Sequence, residues 1–292
     1  MKVVTFERDG VRSYGLLENE RIIDVGSRVG SRYGDLRSVL AAGALRELQN
    51  AQKESAPTFP VDEVKFLPVI PNPEKIFCVG LNYVSHRAET KRPETKYPSI
   101  FTRFADSQVG HEAPVLRPSF STAFDYEGEL AVVIGRGGRH IPEHAVGAHI
   151  AGYSCYNDVT VRDWQRHTAQ WTPGKNFPNT GAFGPALVTS DEIPDLGTLT
   201  LTTRLNGTVM QQAPISDLIF SIPVIVAYIS KFTPLYPGDV IATGTPGGVG
   251  DRREPPVYMK DGDIVEVEID RIGILRNVVQ TDAQAAFLRQ RQ

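Results

Sequence analysis

Apolar and polar positions first alternate in short runs. The segment Lys2 to Val25, KVVTFERDGVRSYGLLENERIIDV, is broken at Asp9-Gly10 and again at Glu18-Asn19, the pattern of a small antiparallel meander. From Asp35 the period changes. Leu36, Val39, Leu40 and Leu45 recur at helical spacing, and Asp35 stands where a carboxylate can cap the first turn. Between Ser55 and Glu74 lie Pro57, Pro60, Pro68, Pro71 and Pro73, which remove backbone donors and favour extended chain, so this stretch reads as an inter-domain connection.

Beyond Lys75, β-like runs dominate: KIFCVG, ELAVVIG, HIAGYSCYN, FGPALVT, LTLTTRLNG, DVIATG and DIVEVEID, mostly separated by Gly, Pro, Asn or Asp. Asn206-Gly207 is a strong hairpin signal, because both residues tolerate the positive φ of a type I′ turn. Ser216 to Phe232 is the clearest helix of this half. Strands and helices do not alternate as βαβ units would, and no internal repeat is visible. The fold class is therefore α+β and β-rich, with a small N-terminal α+β domain over 1–65 and a larger domain over 70–285.

Composition narrows the classes of function. With 41% hydrophobic and 22% charged residues, the chain is an ordinary globular sequence that folds without staples. A net charge of -3 with scattered Arg and Lys supplies no field for a polyanion, so no nucleic-acid partner is expected. The longest apolar stretch, Leu218 to Tyr228, contains Pro223 and is far shorter than the ~20 residues a bilayer requires, so no membrane span is expected. MKVVTFERDG becomes charged before an apolar core of about 7–15 residues can form, so no export signal is expected either. Cys78 and Cys155 sit in apolar contexts that suit buried free thiols. Together these features point to the cytoplasm.

The most informative chemistry is Phe124-Asp125-Tyr126-Glu127-Gly128-Glu129-Leu130, leading into AVVIG. Period-two alternation puts Glu127 and Glu129 on one strand face. Two like charges there either face solvent, the ordinary fate of an isolated E-x-E, or require a hard cation that takes oxygen ligands. Asp158, ending the strand IAGYSCYN, offers a third carboxylate, although Asp after Asn at a strand end is commonly turn chemistry. His86 and Glu89 lie three apart in GLNYVSHRAE and share a face if that segment is helical, so the carboxylate can orient the imidazole as a general base. The alternative is an exposed i,i+3 pair.

Lys175, in Pro173-Gly174-Lys175-Asn176, reads either as solvated surface or as a cation that stabilises developing negative charge. The glycine-rich loop Ile241 to Gly250, after a strand, suits close backbone approach by an anionic group. Three decoys are set aside. His140-Ile141-Pro142-Glu143-His144 matches a zinc-protease pattern, but Pro142 belongs in the first turn of a helix and leaves His140 outside it. The glycines at 244–250 lack dinucleotide-loop spacing. Ser154, Cys155 and His167 lack a nucleophile elbow.

Taken in order, GLNYVSHRAE, DYEGELAVVIG, GYSCYNDVTVRDWQ, GKNF with the following FGP, PGDVIATGTPGGVG and DGDIVEVEI resemble the fumarylacetoacetate hydrolase superfamily over roughly Lys75 to Val278. The resemblance implies a rolled, mixed β-sheet domain, a homodimer, and a mobile lid around His86 to Lys96. It implies Glu127, Glu129 and Asp158 as ligands of Mg²⁺ or Mn²⁺, with Ca²⁺ as a third candidate. It also implies His86 with Glu89 as a water-activating dyad, Lys175 as the family lysine, Gln165 and Arg162 facing substrate, and Thr245 at the substrate carboxylate. The aspartate that supplies a fourth ligand in some members has no counterpart near Ser107-Gln108.

The expected activity is hydrolysis of a C–C bond in a small acylpyruvate or 2,4-dioxo acid. A lyase or isomerase of the same superfamily is the alternative: an oxaloacetate decarboxylase, a 2-hydroxyhepta-2,4-diene-1,7-dioate isomerase or a sugar-acid dehydratase. A metal-binding scaffold without chemistry would need no general base, so the His86–Glu89 pair argues against it. Substrate choice depends on pocket shape, which motifs do not encode.

Overall fold

The computed structural model describes residues 1–53 and 56–282. The N-terminal meander is present, with Lys2–Arg8, Val11–Glu18 and Arg21–Ile23 paired antiparallel. Its turns use the left-handed residues Asp9, Gly10, Asn19 and Glu20. Asp35 caps the helix Leu36–Ala41 by accepting from Ser38 N at 2.7 Å. Gly43, at φ +64°, separates this helix from Leu45–Gln52, so the periodic run is two short helices rather than one.

The proline-rich segment is not a free connection. Thr58–Pro60 pairs with Arg21–Ile23 and Lys65–Phe66 pairs with Lys2–Arg8, so it forms edges of the meander, where absent donors cost least. Lys2–Arg8 in turn pairs antiparallel with Gly181–Thr189. One sheet thus runs from Thr58–Pro60 through the meander to Gly181–Thr189, Ile150–Asp158, Gly128–Ile134, Val240–Ala242, Ile76–Gly80 and Ser99–Arg103. The sheet does not break between the expected segments 1–65 and 70–285. Ser55 and residues 283–285, which those expectations included, lie outside the described residues.

Gly128–Ile134 shows how this sheet builds two cores. Leu130, Val132 and Ile134 point to one side, where Leu201, Val265, Val267 and Leu275 of a second, five-stranded sheet join them. Ala131 and Val133 point to the other, against Val25, Leu36, Val39 and Leu48 of the N-terminal segment. Being covered on both faces, the strand is continuously apolar rather than alternating. The helix expected over Ser216 to Phe232 begins only at Ile222, because Pro223 fits a first helical turn and Ser216 belongs to a preceding 3₁₀ turn. The hairpin at Asn206-Gly207 is present, with φ of +50° and +79°. No helix among the described residues is long and apolar enough to cross a membrane.

Candidate active site

The site lies where Gly128–Ile134, Ile150–Asp158 and the loop after Val240–Ala242 meet. Glu127, Glu129 and Asp158 converge there, each offering an oxygen within 4.8 Å of the others. They are 6%, 2% and 0% exposed, so the solvent-facing reading of this E-x-E fails. Such a cluster needs positive charge. Lys175, which is buried, donates to Glu127 Oε2 at 2.7 Å and Asp158 Oδ2 at 2.5 Å, so it is not the solvated loop lysine its neighbours in sequence suggest. Arg162 donates through Nε to Asp125 Oδ2 at 2.8 Å, and its Nη1 lies 2.6 Å from Glu127 Oε1. Arg103 reaches Asp158 Oδ1 at 2.5 Å and Thr180 Oγ1 at 2.6 Å.

Three buried cations thus face four buried carboxylates: Asp125, Glu127, Glu129 and Asp158. Burial alone would push Glu127 up, yet Lys175 and Arg162 bring its carboxyl down to about 2. Glu129 is opposite. Burial first, then the charges of Asp158 and Glu127, hold its carboxyl well above the usual range, and its hydrogen-bond partner is a backbone amide, Gly244 N at 2.8 Å. It has no ion pair with any described residue. An all-oxygen donor set with one carboxylate lacking a cation fits a hard divalent ion such as Mg²⁺ or Mn²⁺.

The helix Val84–Thr90 brings the expected dyad to this cluster. His86 Nδ1 lies 2.7 Å from Glu89 Oε1, and His86 is 7% exposed. The second oxygen of Glu89 accepts from Gly248 N at 2.8 Å. Gly248 is fixed from its other side, where its own carbonyl accepts from Tyr126 Oη at 3.1 Å and Arg253 Nε at 3.2 Å. The glycine-rich loop was expected to receive a ligand's anionic group. Instead its amides serve the protein's own groups: Gly244 binds Glu129, Gly248 binds Glu89, and Gly250 binds Asp125 at 2.9 Å. A Cβ at Gly250 would lie 1.9 Å from Val257 O, which explains the residue type.

His86, Glu127, Glu129, Arg162, Gln165, Lys175 and Thr245 all line one cavity of about 300 Å³; Glu89 and Asp158 support it from behind. Gln165 accepts from Arg162 Nη1 at 3.1 Å, while the Thr245 hydroxyl donates to Gly128 O at 2.9 Å and accepts from Gln211 Nε2 at 2.8 Å. Sequence reading missed Arg103, Asp125 and Gln211. Asp125 stood inside the quoted motif, but nothing in its spacing announces that it anchors Arg162; Arg103 stands far from every motif in the chain. The decoys stay apart. Pro142 caps a 3₁₀ segment that begins at Glu143, leaving His140 outside it, and Cys78 and Cys155 are buried free thiols.

A doubly cored mixed sheet carrying a buried carboxylate triad, a His–Glu dyad and a lysine defines a metal-dependent enzyme class. The chain belongs to the fumarylacetoacetate hydrolase family: residues 75–280 match the family model described as "Fumarylacetoacetate (FAA) hydrolase C-terminal". Among curated relatives it is 45% identical over 225 residues to human "Oxaloacetate tautomerase FAHD2A, mitochondrial", covering 76% of this chain and 72% of that protein. It is 40% identical over 268 residues to the Xenopus laevis oxaloacetate tautomerase, also named mitochondrial, covering 90% and 84%. Among solved structures, a fumarylacetoacetate hydrolase from Exiguobacterium antarcticum superposes with a TM-score of 0.86 at 35% identity, over 97% of this chain and 100% of that one. Maleylpyruvate hydrolase from Sphingobium sp. SYK-6, in complex with manganese (II) ion and pyruvate, gives 0.81 at 26%, over 96% and 99%. The family includes tautomerases, isomerases and hydrolases, so membership establishes an enzyme family and leaves the reaction open.

Proposed function

We propose that this protein is a Mg²⁺- or Mn²⁺-dependent tautomerase that interconverts the enol and keto forms of a small dicarboxylic 2-oxo acid such as oxaloacetate. The observation that carries this reading is the His86–Glu89 pair, fixed at 2.7 Å at the wall of a cavity whose floor is the buried carboxylate triad. The relatives named oxaloacetate tautomerases support it over the C–C hydrolysis expected from sequence. When bound by Glu127, Glu129 and Asp158, the ion supplies Lewis-acid polarisation of the oxo group and a template for the adjacent carboxylate.

The chain's own residues move the proton. Glu89, held by Gly248 N, accepts a hydrogen bond from His86 Nδ1–H, which leaves the Nε2 lone pair as the base. Nε2 takes a proton from the carbon beside the oxo group, and the proton is returned at oxygen; the reverse path runs through the same groups, and no atom leaves. Lys175 and Arg162 are occupied by the triad and Asp125, so their part is to hold the floor in order and balance its charge while negative charge develops above it. Gln165 and Thr245 orient the substrate from the walls.

A second reading uses the same dyad to activate water against the distal carbonyl of an acylpyruvate. The maleylpyruvate hydrolase neighbour, whose structure holds manganese and pyruvate, favours it. The deciding experiment offers acetylpyruvate, fumarylpyruvate, oxaloacetate and a hydroxymuconate dioate with Mg²⁺ or Mn²⁺, products being identified by mass spectrometry and enol decay followed in the ultraviolet. Accelerated enol–keto exchange of oxaloacetate, abolished by chelator and by His86→Ala, supports tautomerisation. Pyruvate plus a free acid from an acylpyruvate would replace it with hydrolysis. A homodimer and cytoplasmic residence complete the proposal, checked by light scattering and by cell fractionation.

A further inference from the structure

The cations of this cavity divide into two sets. Arg103, Arg162 and Lys175 are buried and already bonded to the floor carboxylates. Arg92, Arg166 and Arg252 line the same cavity and are exposed. Arg166 and Arg252 share one anion, Asp251, which also accepts from Tyr258 Oη at 2.8 Å. Burial works against the charge of Asp251, but the Tyr258 bond and the Arg162 and Arg166 charges hold its carboxyl below the usual range, so it is one full negative charge. Arg92 has neither ion pair nor side-chain hydrogen bond with any described residue. Three cations against one anion leave the mouth at +2.

Arg92 is also placed by the dyad's own helix. Val84–Thr90 ends at Lys91, whose φ of +54° turns the chain, and Pro93 prevents the helix from resuming. This stop sets Arg92 at the cavity, three residues after Glu89. An unpaired planar guanidinium binds a carboxylate through two parallel hydrogen bonds, and a mouth of net +2 draws a dianion inward.

We propose that Arg92, flanked by Arg166 and Arg252, is a binding site for the second carboxylate of a dicarboxylic 2-oxo acid, whose oxo-acid head lies on the carboxylate floor. This rests on the reading of the floor given above and adds to it the residues that separate dicarboxylic from monocarboxylic substrates. The triad, dyad and lysine are silent on that choice, since they meet only the head.

Two probes divide the cavity. Oxalate has only the chelating head; 2-oxoglutarate has the head and a distal carboxylate. Binding of each to the Mg²⁺-loaded full chain is measured by calorimetry for wild type, Arg92→Gln, Arg92→Lys and Arg252→Gln. Losing a charge-assisted pair predicts 2-oxoglutarate binding about 10-fold or more weaker in Arg92→Gln, with oxalate changed by less than about twofold. Arg92→Lys should recover part of the loss, and Arg252→Gln should show the same selectivity at smaller size. Equal loss for both probes, or none for either, overturns the subsite. If oxalate binds wild type and 2-oxoglutarate ignores Arg92, only the subsite fails; if wild type binds neither probe, the reading of the floor fails with it.

Discussion

Two E-x-E strand segments in this chain carry the same local pattern and meet opposite fates. Glu266-Val267-Glu268 lies in Ile264–Ile269, where Val265, Val267 and Ile269 are buried and the glutamates lean outward. Their side chains are 25% and 35% exposed; Glu268 pairs with Arg204 at 2.5 Å and Glu266 stands 3.9 Å from Arg276. Glu127-Gly128-Glu129 begins a strand covered on both faces, so its glutamates have no solvent to turn to. Cross-strand arginines suffice for the first pair, whereas the second takes Arg162, Lys175 and the Gly244 amide and still leaves Glu129 without a cation. An acidic pair comes to need a cation when the sheet around it removes water, not because of its spacing.

The two glutamate pairs should differ most at Glu129. Glu129→Gln keeps the shape and removes a carboxylate that could ionise on binding the ion, so Mg²⁺-dependent turnover should fall about 10⁴-fold with weaker metal binding. Turnover within tenfold of wild type would remove Glu129 from the metal. Next comes the cation that the exposed pair does not need. Arg162→Met leaves Asp125 and Glu127 buried without their guanidinium, and urea unfolding should show a loss of about 3–5 kcal/mol. A loss below about 1 kcal/mol would mean that Lys175 alone neutralises this strand.

Smaller is the effect of Glu89→Gln, which spares the floor but weakens the hold on His86. Turnover should drop about 100-fold while Mg²⁺ affinity, read by calorimetry, stays unchanged. If the affinity fell instead, the dyad would belong to the metal site rather than to proton transfer. The smallest change is on the control strand. Glu268→Gln removes a partly exposed ion pair, and its cost should be under about 0.5 kcal/mol by thermal unfolding, with normal turnover.

Much of the site was legible because its chemistry is local. Glu127 and Glu129 share a strand, His86 and Glu89 share a helical turn, and Asp35 and Asn206-Gly207 announce their cap and hairpin within four residues. What remained hidden joins distant parts of the chain. Arg103 meets Asp158 across 55 positions, and Gly248 meets Glu89 across 159. The proline-rich segment also misled, since missing donors are tolerated as well at a sheet edge as in a connection.

Sequence by itself therefore determined the elements, the residue types at the site and the family, because propensity, period and motif order act over short range. Only the tertiary structure decided which acidic pair is buried, which cations serve the floor, and that the glycine loop binds the protein's own carboxylates. It also made one sheet of what sequence divides into two domains. The physical reason is common to all four: desolvation and pairing depend on what covers a residue, and the covering atoms come from strands far away in the chain.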